Sequence, residues 1–153
     1  MSASPSIKLA IIAARFNSKV TDRLLAGAKE RLKSLDIDDS CVETIRVPGV
    51  VEIPYLAQEV AILGEYDAII CLGAVIQGET DHYEYVCQQV SQGCQKVALK
   101  HRIPVIFGVL TTQTDELALA RAGGAHGNKG VDAVDAAIEM IEISRRLGNK
   151  NKK

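Results

Sequence analysis

Aromatic residues and net charge are both scarce in this sequence. Phenylalanine and tyrosine together make up 4% of the 153 residues, tryptophan is absent, and the formal net charge is −1. A stacking platform for bases needs several aromatic side chains, and binding to nucleic acid or to an anionic membrane needs an excess of positive charge. We therefore predict that neither nucleic acid nor a membrane is a partner.

The sequence also shows no signal-peptide pattern in its first residues and no closely paired cysteines. No apolar run approaches the length of a membrane span, and residues 1–6 have neither the basic segment nor the apolar region of a signal peptide. The cysteines form no C-x-x-C pair, which favours small buried side chains in a reducing compartment over zinc ligands or disulfides; they are Cys41, Cys71, Cys87 and Cys94. We expect a cytoplasmic location.

The sequence does contain a regular alternation of apolar runs, typical of buried strands, and segments with helical spacing of apolar residues. Hydrophobic residues make up 47% and charged residues 24%, as in an ordinary globular domain. Four apolar runs are predicted to be strands, and each is followed by helical spacing; the runs are 7–14, 42–47, 68–72 and 104–110. Such alternation predicts an α/β fold with three layers, α/β/α, in which a four-stranded parallel sheet has helices on both faces.

The predicted helices and ends divide the chain further. The helical patterns cover about 24–35, 53–63, 80–100 and 115–122, and a last helix carries apolar residues from Val131 to Ile141. We expect residues 1–6 to be a flexible N-terminal arm, residues 7–147 a single domain, and residues 148–153 a flexible basic tail.

Ligands of parallel α/β sheets bind beyond the carboxyl ends of the strands. Those ends are predicted at 15–17, 48–52, 73–80 and 111–112. The third segment is the most informative, because a glycine-punctuated turn leads into a helix with Thr80 or Asp81 as candidate N-cap. Free backbone N–H groups at that helix start suit an anion such as phosphate, and His82 in the first turn can titrate near neutral pH.

Five motifs in this order resemble the lumazine synthase family over nearly the whole length. They are Arg15-Phe16-Asn17; Val47-Pro48-Gly49 with Glu52-Ile53-Pro54; the segment 73–86; the segment 104–110; and Arg121-Ala122-Gly123 with Gly127-Asn128-Lys129-Gly130. The resemblance implies a flavodoxin-like fold and the condensation of 5-amino-6-(D-ribitylamino)uracil with 3,4-dihydroxy-2-butanone 4-phosphate. This condensation yields 6,7-dimethyl-8-ribityllumazine and phosphate and is the penultimate step of riboflavin biosynthesis. The resemblance implies that it needs no metal or organic cofactor.

The resemblance also implies an assembly, with active sites between the neighbouring subunits of a homopentamer. In some members pentamers build a sixty-subunit shell, and riboflavin synthase is a further expected partner. The short connection from Arg121 to Lys129 is compatible with a shell. The segment before the first strand is shorter than the N-terminal arm that adds a strand to a neighbour's sheet in shell-forming members.

The family's site residues carry over by position. Phe16 would stack on the pyrimidine with Asn17 beside it. The ribityl chain would lie against Val50, Val51 and Glu52, and the ring would be flanked by Ala74, Val75 and Ile76. Phosphate would be held by Gly78, Glu79, Thr80 and Arg121. His82 would move protons, while Phe107, Arg121 and Lys129 would come from the adjacent subunit.

Each of these residues has a structural alternative. Phe16 could cap the core, His82 could lie on a helix surface, and Gly78 could belong only to a turn. Arg121 and Lys129 could be solvated cations, as most surface cations are. Glu52 could be a first-turn carboxylate favoured by the helix dipole.

Other functions are also compatible with the fold. An archaeal-type riboflavin synthase dismutates lumazine and needs no phosphate site, so the set of Gly78, Glu79, Thr80, Arg121 and Lys129 disfavours it. A non-catalytic lumazine- or flavin-binding shell protein would keep the pocket but not turnover, and the presence of His82 together with the phosphate-binding set disfavours it. The sequence departs from the family pattern at two places. Gln77 replaces a cation near the rim, which bears on subunit contacts more than on turnover, and Val50-Val51 replaces a small residue followed by an aromatic one in the ribityl pocket.

Overall fold

The computed structural model describes residues 6–78 and 82–151, and of residues 149–151 only the backbone. Eleven helices and strands follow one another in this part of the chain, with 3₁₀ turns at Asp39–Cys41 and Val50–Glu52. They are β1 Leu9–Ala14, α1 Ser18–Ser34, β2 Val42–Val47, α2 Ile53–Leu63, β3 Ala68–Ile76, α3 His82–His101, β4 Val105–Thr112, α4 Asp115–Ala120, β5 Ala122–Gly124, β6 Gly127–Asn128 and α5 Lys129–Asn151.

The first four strands form one parallel sheet in the order β2-β1-β3-β4. Successive side chains of β1 point to opposite faces: Leu9, Ile11 and Ala13 pack with α1 and α5, and Ala10, Ile12 and Ala14 pack with α2 and α3. Because both faces are covered, every residue of β1 is fully buried. The predicted three-layer α/β/α fold with a four-stranded parallel, flavodoxin-like sheet is confirmed.

Strands β3 and β4 both extend further at their carboxyl ends than the sequence predicts. We expected a turn from Gly73 onward, but β3 continues to Ile76 because β4 pairs with it as far as Thr112. β1 stops pairing with β3 at Leu72. The ends of β3 and β4 therefore project beyond β1 as a two-stranded overhang.

A small antiparallel hairpin follows α4. We predicted a helix to Ala122 and a glycine-rich connection, but the helix ends at Ala120 and β5 pairs with β6. Gly123 and Gly127 adopt φ angles of 101° and 84°, which glycine tolerates best. The Lys129 N–H donates to the Arg121 carbonyl over 2.8 Å, so the hairpin holds these two residues next to each other.

The chain ends differ in how far they are described. Residues 1–5, most of the predicted arm, and Thr80 and Asp81, the candidate caps, lie outside the described residues. At the other end α5 runs to Asn151, so four residues of the predicted tail are helical. The division into arm, domain and tail stays a prediction. Within the described ranges, no helix is both long and apolar enough to cross a membrane.

Candidate active site

A cavity of about 580 Å³ lies at the carboxyl ends of the strands, between the overhang, α3 and the loops after β1 and β2. Its walls come from five separate segments of the chain; the lining residues are Phe16, Asn17, Gly49, Val50, Val51, Ala74, Val75, Ile76, Gln77, Gly78, His82, Tyr83, Val86 and Asp115. Nine of the sequence-predicted site residues are thus brought together. This is the rim where a parallel α/β sheet binds its ligands.

The loop after β1 presents an aromatic ring to the cavity. The Phe16 backbone is fixed on both sides, because its N–H donates to the Pro48 carbonyl over 3.0 Å and its carbonyl accepts from the Thr21 hydroxyl over 3.2 Å. The side chain nevertheless stays 70% exposed. It does not cap the core, and its free face suits a planar ligand.

Asn17 follows in a left-handed conformation with φ 61°. It precedes the first residue of α1, but its side chain makes no capping bond. Instead, its Nδ2 donates to the Ala74 carbonyl over 2.8 Å, which ties the loop to the overhang. Asparagine tolerates this backbone conformation better than most residues do.

The loop after β2 is a compact 3₁₀ turn, Val50–Glu52. The Gly49 N–H donates to Oε1 of Glu52 over 2.8 Å, and the Glu52 N–H donates to the Gly49 carbonyl over 3.2 Å. Val50 is buried, whereas Val51 is 37% exposed towards the cavity. Glu52 itself does not line the cavity, since its carboxylate is turned back onto the loop.

Gly78 occupies an open position at the cavity edge. A Cβ built there would meet no heavy atom within 4 Å, and its φ is not in the left-handed region. Nothing within the described chain therefore requires glycine at this position, which leaves room for a ligand to approach the backbone. Glu79 and Thr80, the other two predicted phosphate-binding residues of this turn, lie outside the described residues.

The first two turns of α3 add His82, Tyr83 and Val86 to the cavity wall. Burial raises the pKa of Tyr83 above its ordinary value, so this phenol stays neutral at physiological pH. A helix N-terminus carries a partial positive charge, which favours an anion at this end of the cavity.

Besides Glu52, three described residues among those predicted do not line the cavity of their own chain. Phe107 packs against the core cluster beneath α2 and α3, Arg121 is exposed, and Lys129 is half-buried. Among the described lining residues there is no lysine or arginine, and Asp115 is the one carboxylate. A dianionic phosphate would find too little positive charge here without cations from elsewhere.

Sequence reasoning missed five residues of the cavity as ligand contacts, among them Gly49, which entered only as part of a motif. Tyr83 and Val86 are three residues apart, and apolar side chains at that helical spacing by themselves favour packing against the core. Gln77 was noted only as a missing cation. Asp115 gave no signal, because its place depends on where α4 begins relative to the overhang.

All four cysteines lie in the described ranges and carry free thiols; Cys71 and Cys94 are buried, and Cys41 and Cys87 are half-buried. Among the described residues, no group of three or more His, Cys, Asp or Glu side chains is arranged to hold a metal ion.

Comparison with known proteins identifies close relatives. The profile of a family described as 6,7-dimethyl-8-ribityllumazine synthase matches residues 6–145. A protein of that name from Coxiella burnetii (strain Dugway 5J108-111) is 57% identical over 142 residues, covering 93% of this chain and 94% of the relative. Proteins of the same name from strains CbuG_Q212 and RSA 493 / Nine Mile phase I are each 56% identical over the same coverage.

Proposed function

The chain belongs to the 6,7-dimethyl-8-ribityllumazine synthase family, and from that premise we propose that its cavity binds both substrates of the family's reaction. The reaction condenses 5-amino-6-(D-ribitylamino)uracil with 3,4-dihydroxy-2-butanone 4-phosphate, gives 6,7-dimethyl-8-ribityllumazine and releases phosphate. The chain is therefore a transferase of riboflavin biosynthesis. The archaeal-type riboflavin synthase and the non-catalytic binding protein are not favoured by these relatives.

The pyrimidine is assigned to the exposed ring of Phe16. Stacking of a base on an aromatic face contributes about 1–3 kcal/mol, and the ring is free to make it. Asn17 and the backbone of Ala74 to Ile76 are assigned to the edge of the pyrimidine. The Ala74 carbonyl already accepts from Asn17, so this pair supports a fixed orientation of the ring more than a strong new hydrogen bond.

The ribityl chain is assigned to Val50, Val51 and Glu52. One carboxylate oxygen of Glu52 accepts from the Gly49 N–H. The other oxygen has acceptor capacity for a ribityl hydroxyl, and a carboxylate makes hydrogen bonds about twice as strong as a neutral acceptor does. The loop bond would then hold the carboxylate in place while the substrate binds.

The phosphate is assigned to Gly78, Glu79 and Thr80 at the start of α3. The open position of Gly78 and the partial charge of the helix N-terminus support this assignment. His82, one turn into the same helix, is assigned to proton transfer during imine formation and phosphate elimination. No covalent enzyme nucleophile is needed, so binding both substrates side by side supplies much of the acceleration.

The observation that carries the proposal is the missing cation. The described lining of the cavity holds an exposed aromatic ring and a histidine but no lysine or arginine. Arg121 and Lys129 lie together at the base of the hairpin, outside their own cavity. We assign both, with Phe107, to the cavity of the neighbouring subunit in a homopentamer. A sixty-subunit shell, riboflavin synthase as a partner and a cytoplasmic location are parts of the same proposal.

The first experiment is to mix the purified protein with both substrates and no added metal, and to follow lumazine absorbance and fluorescence. Product formation is the expected result. His82→Ala should slow turnover without abolishing it, because substrate positioning remains. Arg121→Ala should raise the KM for the butanone phosphate more than the KM for the pyrimidine, and equal effects would contradict its assignment to phosphate.

A second experiment tests whether the site is shared between subunits. His82→Ala and Arg121→Ala chains are co-expressed with different tags, and oligomers that contain both are purified. If Arg121 serves the neighbour, some interfaces combine an intact His82 with an intact Arg121, so mixed oligomers exceed the mean activity of the two parents at low butanone phosphate. Activity no higher than that mean would place Arg121 in its own chain's site.

A further inference from the structure

Strand β3 carries no side chain at Gly73, and Val50 fills the vacant space. A Cβ on Gly73 would lie 2.5 Å from Cγ1 of Val50 and 3.4 Å from Cβ of Ala14. Carbon atoms in contact are about 3.5–4.0 Å apart. No larger residue can therefore occupy position 73 while Val50 keeps its place.

The requirement for glycine at this position is steric and not conformational. Gly73 is absent from the residues with positive φ, so any residue could adopt its backbone angles. A glycine inside a strand weakens the strand and often marks a close approach by another part of the molecule. Here the approaching group is the Val50 side chain, which is 7% exposed and packs in the core cluster beneath α2 and α3.

This contact is coupled to the shape of the cavity. Val50 begins the 3₁₀ turn that also contains Val51 and Glu52, and the hydrogen bonds between Gly49 and Glu52 hold the turn together. A displacement of Val50 would thus move the whole turn relative to β3. Two residues beyond Gly73 on the same face of β3, Val75 lines the same cavity as Val50 and Val51.

We propose that Val50 and Gly73 form a positioning pair that sets the distance between the Val50–Glu52 turn and β3, and hence the width of the cavity where the polyol chain of the pyrimidine substrate binds. The inference rests on the proposed function, which assigns the ribityl chain to residues 50–52. The phosphate-bearing substrate is assigned to Gly78 and the start of α3, so the pair should affect the pyrimidine selectively.

The test introduces Gly73→Ala into three backgrounds: the wild-type chain, the Val50→Ala variant and the Val50→Thr variant. With Val50→Ala the nearest atom of residue 50 is its Cβ, at an ordinary 3.8 Å from the new methyl group. Val50→Thr keeps the shape of valine and is the matched control. Gly73→Ala should raise the KM for the pyrimidine about tenfold in the wild-type chain and with Val50→Thr, but at most about twofold with Val50→Ala.

The KM for the butanone phosphate should stay within about twofold throughout. A general loss of folding would instead lower the active fraction and hence kcat, without raising the KM for the pyrimidine. Equal effects of Gly73→Ala in all three backgrounds, or a parallel rise of both KM values, would overturn the proposal. If Gly73→Ala alone fails to fold, the double variant with Val50→Ala must fold and match Val50→Ala in its KM for the pyrimidine. Failure of that rescue also overturns it.

Failure of the proposed function has a different signature. In that case the wild-type protein forms no lumazine from the two substrates. The steric contact between Val50 and Gly73 is then tested by thermal unfolding. If Val50→Ala, but not Val50→Thr, restores the melting temperature that Gly73→Ala lowers, the contact is supported. If Val50→Ala does not restore it, the contact is refuted.

Discussion

Phe16 is the residue to which we assign stacking on the pyrimidine. Its backbone is held by two hydrogen bonds, yet its ring remains 70% exposed. Phe16→Ala should change the free energy of unfolding by less than about 0.5 kcal/mol, because little apolar area is lost from the core. It should weaken pyrimidine or lumazine binding about five- to 150-fold, the equivalent of about 1–3 kcal/mol of stacking.

Binding is measured from the change in lumazine fluorescence, and stability from urea denaturation of the same preparations. Phe16→Tyr keeps the ring and serves as the control, with near wild-type affinity expected. A loss of stability with unchanged affinity would show that the Phe16 ring stabilises the fold and does not bind the pyrimidine.

Gly78 gives a second prediction at the residue scale. Because a Cβ there has nothing within 4 Å, Gly78→Ala should leave the melting temperature unchanged or slightly higher. The methyl group would crowd the phosphate, so the KM for the butanone phosphate should rise about tenfold while the KM for the pyrimidine changes little.

Gly148 provides the matched control for this experiment. It is equally open but lies in α5, away from the cavity. Gly148→Ala should leave both KM values unchanged and favour the helix by up to about 1 kcal/mol. An unchanged KM for the butanone phosphate in Gly78→Ala would remove this glycine from the phosphate site.

At the scale of elements, Asn128 joins the hairpin to two helices. Its Oδ1 accepts from the Gly130 N–H over 2.8 Å and the Val131 N–H over 3.3 Å at the start of α5, and its Nδ2 donates to the Arg23 carbonyl of α1 over 3.1 Å. This arrangement holds the base of the hairpin, where Lys129 meets Arg121.

Asn128→Ala should therefore lower the free energy of unfolding by about 1–2 kcal/mol through loss of the cap. It should also raise the KM for the butanone phosphate, since Arg121 and Lys129 lose their support. Asn128→Asp keeps the acceptor for the helix start and should retain most of the stability. Chemical denaturation of both variants measures the free energy of unfolding, and steady-state kinetics measure the KM for the butanone phosphate. A wild-type KM in Asn128→Ala would show that support of the hairpin by Asn128 is not needed for phosphate binding.

On the scale of the whole molecule, large apolar side chains remain exposed on α2 and α3. Ile62 is 60% exposed and Leu99 is 70% exposed. If the chain assembles as a homopentamer through this face, Ile62→Glu or Leu99→Glu should release monomers, because a buried unpaired carboxylate costs several kcal/mol. The monomers should have little activity, since each cavity would lack the neighbour's cations.

Met140 on α5 offers a comparison, being 41% exposed on the opposite face of the sheet. Met140→Glu should leave the mass of the pentamer unchanged. Native mass spectrometry and light scattering give the subunit number directly, and they also distinguish a pentamer from a shell. Full-size oligomers in both α2 and α3 variants would exclude this face as the contact.

The amino-acid sequence by itself determined the layers, the order of the elements and most of the cavity. Alternating apolar runs and helical spacings require a parallel sheet covered on both faces, and β2 and α2 were predicted with their observed bounds. Once the strand ends were known, residues far apart in the chain, such as Phe16, Val50 and His82, had to meet at one rim. These features follow from local periodicity and from the chirality of crossovers.

Only the tertiary structure decided the lengths of β3 and β4, the hairpin after α4, and the neighbours of each side chain. A strand extends as far as its partner pairs with it, and nothing local in Gly73 to Ile76 announces that β4 reaches Thr112. Likewise, the position of Asp115 at the cavity and the contact between Val50 and Gly73 depend on packing between segments distant in sequence. Close packing is a property of the assembled interior, so the width of the cavity is determined only by the tertiary structure.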